Sequence, residues 1–275
     1  MAIPKIMGIL NVTPDSFSDG GRHATLERAV VHAKRMVEQG ADIIDIGGES
    51  TRPGAETIPV EEELRRTVPA VRAIRAAFAD ADEEPVLSID TRKPDVAKAC
   101  IHAGCDVWND VTALTYAPDS LDVAAELGCD LVIMHSQGTP ETMQDRPSYT
   151  DAVAEIRDYL ASRIDACDAA GIVPAQITID PGIGFGKRLE DNLAILAHVR
   201  SFADLAPTLI GASRKSFIGK LDGSHVEARL GGSLASAVIA AQGGAGIVRV
   251  HDVAATKQAL IVAEAVAGKL PRPRP

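Results

Sequence analysis

Short apolar runs alternate with longer amphipathic ones along the chain. Eight short runs read as strands: Lys5–Leu10, Asp42–Ile46, Val86–Asp90, Asp106–Asn109, Asp130–Met134, Gln176–Asp180, Thr208–Gly211 and Ile247–Val250. Segments such as IIDI, LVIM and ITI are near-continuous in apolar residues, as strands buried on both faces of a parallel sheet are. The longer runs predict helices over Thr25–Gln39, Val60–Ala79, Pro94–His102, Ser120–Leu127, Thr150–Ala170, Leu189–Val199, Glu227–Gln242 and Val253–Ala267. Many close on a glycine just before the next strand (QGAD, AGCD, LGCD, AGIV), which marks a helix-to-strand turn. Eight strands and eight helices in 275 residues predict an α/β fold, a single-domain (β/α)8 barrel. The alternative is an open doubly wound sheet, but no GxGxxG follows the first strand and no linker divides the chain. Residues 1–270 are expected to form the barrel, and PRPRP at 271–275 a disordered tail.

A barrel of this kind does its chemistry at the C-terminal ends of its strands. Those ends carry polar residues throughout: Asn11; Glu49, Thr51 and Arg52; Asp90 and Arg92; Asn109 and Asp110; His135; Asp180; Ser213, Arg214 and Lys215; Arg249 and His251. Asp90, Asn109 and Asp180 come from three strands, each directly after apolar residues. Buried acceptors of this kind need donors, and a flat heterocycle with amino and ring N–H groups supplies them. Each residue alone could equally cap a local turn; three together on one rim favour a pocket. Arg249, His251, Lys215, Ser216 and Arg52 suggest an anion site on the same rim. For any one of these cations a solvated surface charge is the ordinary reading.

Other readings carry less weight. Lys215 could form a Schiff base, but it lies beyond its strand in SRKS beside Arg214. DPGIGFGK lacks the GxxxxGK[ST] spacing of a phosphate loop, so its glycines read as backbone that approaches a flat ligand. His135 reads as a satisfied strand-end histidine rather than a catalytic one. Asn11–Arg22 is a long aperiodic loop with Phe17 at its centre, and is expected to act as a lid.

Composition narrows the field. With 28 Lys and Arg against 38 Asp and Glu the net charge is −10, and aromatics are 3%. Neither suits nucleic-acid binding, which calls for a basic footprint and stacking platforms. Cys100, Cys105, Cys129 and Cys167 form no CxxC or CxxH pair. Met1 to Gly8 has no basic segment followed by a long apolar run, and no apolar stretch reaches the ~18 residues of a membrane span. A reduced, cytoplasmic protein is expected.

GILNVTPDSFSDGG, DIGGESTRPG, SIDTRKP, WNDVT, DPGIGFGK, ASRKSFIG and RVHDV occur in this order between Met7 and Leu270. Together they closely resemble the pterin-binding dihydropteroate synthase family. The resemblance implies a (β/α)8 barrel, the target of sulfonamides, that is usually a homodimer and uses Mg2+. It implies condensation of 6-hydroxymethyl-7,8-dihydropterin pyrophosphate with 4-aminobenzoate, in an SN1-like reaction, to give 7,8-dihydropteroate and pyrophosphate. By motif position, Asp90, Asn109, Asp180, Lys215, Met134 and Phe185 would hold the pterin. Asn11, Thr51, Arg52, Arg249 and His251 would bind pyrophosphate, with Asn11 also on the metal. Thr51, Arg52, Pro53, Phe185 and Ser216 would shape the aminobenzoate pocket, and Asp19, Asp180 and Lys215 would be catalytic. Ser136 in MHSQG departs from the family's MHMQG, with at most a modest effect expected. A pterin-dependent methyltransferase, a non-catalytic pterin-binding paralogue and a barrel aldolase are the competing readings.

Overall fold

The computed structural model describes residues 3–13, 21–50, 55, 57–81, 84–138, 143 and 147–268, without the side chains of 21–25. The strands are β1 (Lys5–Asn11), β2 (Ile43–Gly47), β3 (Val86–Asp90), β4 (Val107–Asp110), β5 (Asp130–Met134), β6 (Ile177–Asp180), β7 (Leu209–Ile210) and β8 (Ile247–Val250). All neighbouring pairs are parallel, in the order β6-β5-β4-β3-β2-β1-β8-β7. A parallel bridge between Ile179 and Thr208 joins the two ends, where Ile179 N donates to the Pro207 carbonyl at 2.8 Å. The barrel is thereby closed, as predicted, and the open-sheet alternative is set aside.

The outer ring comprises α1 (Gly21–Glu38), α2 (Val60–Ala77), α3 (Pro94–Ala103), α4 (Ser120–Leu127), α5 (Ala152–Ala169), α6 (Leu189–Ala197), α7 (Val199–Ala203), α8 (Ser216–Asp222), α9 (Leu230–Gly243) and α10 (Val253–Val266). Local chemistry explains several boundaries. α3 starts with Pro94, whose missing N–H costs nothing there, and stops at Gly104 with φ 121°. The Asp151 carboxylate caps α5 by accepting the Val153 and Ala154 amides at 3.1 Å. Two features depart from the sequence pattern. The run predicted as Leu189–Val199 breaks at His198, which leaves the helical region (φ −119°, ψ 29°) and separates α6 from α7. Short α8 was unpredicted as a helix, and α9 starts three residues after the predicted Glu227, behind a 3-10 turn at Val226–Ala228.

Strand alternation sorts the apolar runs into two cores. Ile6, Ile44, Leu87, Trp108, Ile133 and Val248 pack with the helices outside the barrel. Met7, Ile43, Val107, Val132 and Leu209 pack together as a separate cluster within it. This inner cluster plugs the lower part of the barrel and leaves its upper part to polar side chains. Residues 269–275 and the predicted tail lie outside the described residues.

Candidate active site

Asn11, Gly47, Asp90 and Asn109 are successive register partners across β1 to β4, so they form one row at the barrel mouth. Met134 and Asp180 are partners on β5 and β6. One step lower, Asp45 lies in the middle of β2 and is fully buried. Arg249 on β8 reaches across to both carboxylates: its Nε donates to Asp45 Oδ2 and a terminal nitrogen donates to Asp90 Oδ2, each at 2.6 Å. Asn109 Nδ2 also donates to Asp45 Oδ2, at 3.1 Å.

Two carboxylates thus share one guanidinium. Burial raises the Asp90 carboxyl to about 7, the Arg249 guanidinium opposes this, and Asp45 adds to it. Burial alone would lower the Arg249 pKa, but Asp45 and Asp90 outweigh it and raise it. Among the described residues Asp45 Oδ1 and Asp90 Oδ1 are buried with no hydrogen-bond partner. Such atoms demand donors.

The opposite wall is cationic. Asp180 Oδ2 and Lys215 Nζ both lie 3.9 Å from the point where a Cβ on Gly211 would stand. The two charges thus converge beside Gly211, just after β7. Lys215 Nζ donates to the Ile183 carbonyl and lies over the Phe185 ring, 4.5 Å from its centroid. Burial lowers the Lys215 pKa to about 8, with Asp180 holding it up. Burial raises the Asp180 pKa, opposed first by Lys215. Asp180 Oδ1 also accepts the Gly182 amide at 2.7 Å, so the local-cap reading is true of one oxygen only. Gly182 sits at φ 70°, and a Cβ there would collide with the His135 carbonyl oxygen.

His251 accompanies Arg249 on the rim, bonded to Ser213 Oγ through its backbone N at 3.2 Å and Nδ1 at 3.1 Å. Ser216 is exposed at the first position of α8. His135 is buried and engaged by Lys187 Nζ at 2.9 Å, and burial lowers its pKa to about 3. That is the structural role expected of it. Ser136 Oγ donates to the Val111 carbonyl at 3.2 Å, linking the β5 and β4 exits. Asp19, Thr51, Arg52 and Pro53, together with the Phe17 of the expected lid, lie outside the described residues.

Sequence reading missed Asp45 because it sits inside IIDIG, where the run reads as core. A charge amid buried strand residues was the available signal. It also missed buried Lys93 and Glu63, which pair at 2.6 Å. The acidic opening of α2 resembles an ordinary solvated helix start.

A profile of the family "Pterin binding enzyme" matches residues 7–251. Dihydropteroate synthase from Escherichia coli K12 is 49% identical over 263 residues, 95% of this chain and 91% of the relative. The structure of Xanthomonas albilineans dihydropteroate synthase with 4-aminobenzoic acid superposes with a TM-score of 0.89 at 49% identity, covering 98% of this chain and 94% of that one. The same bacterium's enzyme in complex with 7,8-dihydropteroate gives 0.85 at 45% identity, covering 98% and 97%.

Proposed function

The chain belongs to the pterin binding enzyme family, and we infer that it is a dihydropteroate synthase. It joins the methylene carbon of 6-hydroxymethyl-7,8-dihydropterin pyrophosphate to the amine of 4-aminobenzoate. The methylene C–O bond breaks, a C–N bond forms, pyrophosphate departs, and the amine nitrogen loses a proton. The observation that carries this reading is the pair of unpartnered buried oxygens, Asp90 Oδ1 and Asp45 Oδ1, beside Asn109. A dihydropterin edge offers the amino and ring N–H donors that acceptor-only atoms require.

Roles for the other side chains follow from their chemistry. Asp180 and Lys215 would grip the opposite edge of the ring, with Met134 and Phe185 against its faces. Departure of pyrophosphate in an SN1-like path leaves positive charge on the pterin, which the Asp180 carboxylate stabilises. Arg249, His251 and Asn11 would bind the diphosphate, and protonated Lys215 would offset its growing charge. Ser216, with Thr51, Arg52 and Pro53, would bound the aminobenzoate, and Asp19 would assist bond breaking from the loop after β1. The arylamine is a weak base and needs little help in losing its proton.

Mg2+ suits this donor set in a limited way. Among the described residues no cluster of three His, Cys, Asp or Glu could hold a metal. Asn11 Oδ1 is a hard oxygen ligand at the barrel mouth, 3.5 Å from the Cβ position of Gly47. Mg2+ commonly takes one or two protein oxygens and completes its shell with phosphate and water. Bound there with the diphosphate, it would neutralise leaving-group charge.

The homodimer and cytoplasmic location remain part of the proposal. Seven of the eleven exposed large apolar side chains among the described residues, including Leu221, Ile239, Ile261 and Val262, lie between positions 221 and 266. That concentration on α8 to α10 supports a self-association face. No described helix is long and apolar enough to cross a membrane.

Pyrophosphate release tests the reading. Purified protein with the dihydropterin pyrophosphate and Mg2+ should release pyrophosphate and form dihydropteroate only when 4-aminobenzoate is present. Pterin binding without release would replace synthase activity with methyl transfer or simple pterin binding.

A further inference from the structure

The turn after β7 breaks two local rules at once. Arg214 has a φ of 56°, and among the described residues only Ala113 and Leu114 share a positive φ without being glycine. A residue with a Cβ rarely adopts that conformation, because the Cβ crowds the backbone. Asp252 is the N-cap residue of α10, yet its carboxylate makes no capping bond to that helix. An aspartate so placed ordinarily accepts an amide of the first turn. One contact explains both departures. Arg214 Nε donates to Asp252 Oδ2 at 2.9 Å, and a terminal nitrogen of Arg214 donates to Asp252 Oδ1 at 2.6 Å. The pair is bidentate, the geometry in which guanidinium and carboxylate fix each other's orientation as well as their distance.

The backbone of Arg214 is held as well. Its amide donates to Ser233 Oγ at 2.8 Å, and its carbonyl accepts from Arg229 at 3.2 Å. Ser233 Oγ donates in turn to the Arg229 carbonyl at 2.7 Å. The starts of α9 and α10 thus converge on one residue, while its neighbour Ser213 is tied to His251. The next residue is Lys215, the N-cap of α8, whose Nζ donates to the Ile183 carbonyl. The clip therefore joins the turn that carries Lys215 to the strand end that carries Arg249 and His251. Stability does not account for it. The Arg214 and Asp252 side chains are 34% and 23% exposed, and ion pairs that wet contribute little. A left-handed arginine and a forgone helix cap both work against the fold. Local strain that its surroundings hold in place gathers where function needs a fixed geometry.

We propose that Asp252 is a positioning residue for the synthase reaction: through Arg214 it fixes the turn that aims Lys215 at the dihydropterin pyrophosphate. This rests on the synthase reading. Asp252 acts through Arg214 and Lys215, not by touching substrate. The clip keeps Lys215 in register with Arg249 and His251, so that the lysine and the diphosphate ligands meet one substrate in a single geometry.

Asp252→Asn and Arg214→Gly test it. Asparagine caps a helix as well as aspartate does, so Asp252→Asn spares α10 while removing the charge and one acceptor oxygen. Glycine adopts a positive φ freely, so Arg214→Gly removes the clip without leaving a strained residue, and it serves if the first variant does not fold. Each should lower kcat/KM for the dihydropterin pyrophosphate, per folded molecule, by at least about tenfold, because a small misplacement of a reacting group is costly in rate. The decisive readout is the same pair of substitutions in a Lys215→Ala background. With no lysine left to aim, each should then change kcat/KM by less than about twofold. Equal losses in the two backgrounds would overturn the proposal, since a general weakening of the site predicts that. An unchanged kcat/KM beside an intact Lys215 would overturn it too, leaving only a structural ion pair. If the wild-type protein makes no dihydropteroate, the synthase reading fails first and the proposal falls with it; an active wild type with insensitive variants removes the proposal alone.

Discussion

The inside of the barrel holds two layers built by the same strands. In the lower one Met7, Ile43, Val107, Val132 and Leu209 pack against each other with no polar group among them. In the upper one Asp45, Asp90, Asn109, Asp180 and Arg249 meet within a few ångströms, and two carboxylate oxygens have no partner among the described residues. Strand geometry cannot account for the contrast, because both layers use the same inward-facing alternation. What differs is the demand placed on each. The lower layer gains from burying apolar area. The upper layer gives up that gain and keeps charges that only a polar ligand can fully satisfy. The lower plug is what makes the upper strain tolerable.

Substitutions in the two layers should therefore fail in different ways. Lys215→Ala removes the cation beside Asp180, and kcat/KM should fall by about 10³-fold, or about 4 kcal/mol of transition-state stabilisation. Its melting temperature should stay close to that of the wild type. A comparable fall in both would merge the two layers into one. Leu209→Ala should do the opposite: lost burial and a cavity cost about 3 kcal/mol of unfolding free energy, visible as a lower urea midpoint. Turnover per folded molecule should change less than about threefold.

The pH profile sharpens the contrast. Burial brings the Lys215 pKa down to about 8 from its ordinary 10.5, so its proton leaves the folded protein first. kcat/KM for the dihydropterin pyrophosphate should fall as pH rises through about 8. The same shift means that the unfolded chain binds more protons between about 8 and 10.5, so this group makes stability rise with pH there. Rate and stability should then move in opposite directions, and a rate that tracked unfolding would contradict the assignment. Lys215→Arg should move the basic limb upward. The smallest effect is expected at the rim. Ser136→Met removes one half-exposed hydrogen bond to Val111, worth about 1 kcal/mol or less, and steady-state kinetics should register less than about fivefold.

Much of this was legible in the sequence because strands and chemistry share a period. All eight strands stand where the apolar runs predict them, and a polar residue lies in or just beyond the end of each, from Asn11 after Leu10 to His251 after Val250. β7 is only Leu209–Ile210, yet its neighbours Thr208 and Gly211 still mark its ends. Less legible were features that depend on packing between distant segments. The break at His198 has no glycine or proline to announce it. Asp45 is hidden in IIDIG because a single charge in an apolar run looks like noise until Arg249, 204 residues away, is seen to reach it. Buried Lys93 and Glu63 belong to separate elements, and nothing local pairs them.

The most direct test of the central claim is a calorimetric titration of the wild-type protein and Asp180→Asn with the dihydropterin pyrophosphate. An asparagine there turns a charged two-oxygen acceptor into an amide with one donor end. If the upper layer is a pterin pocket, affinity should weaken at least about tenfold, with an unchanged melting temperature. Equal affinity in the two proteins would mean that the carboxylates at the mouth do not hold the ring.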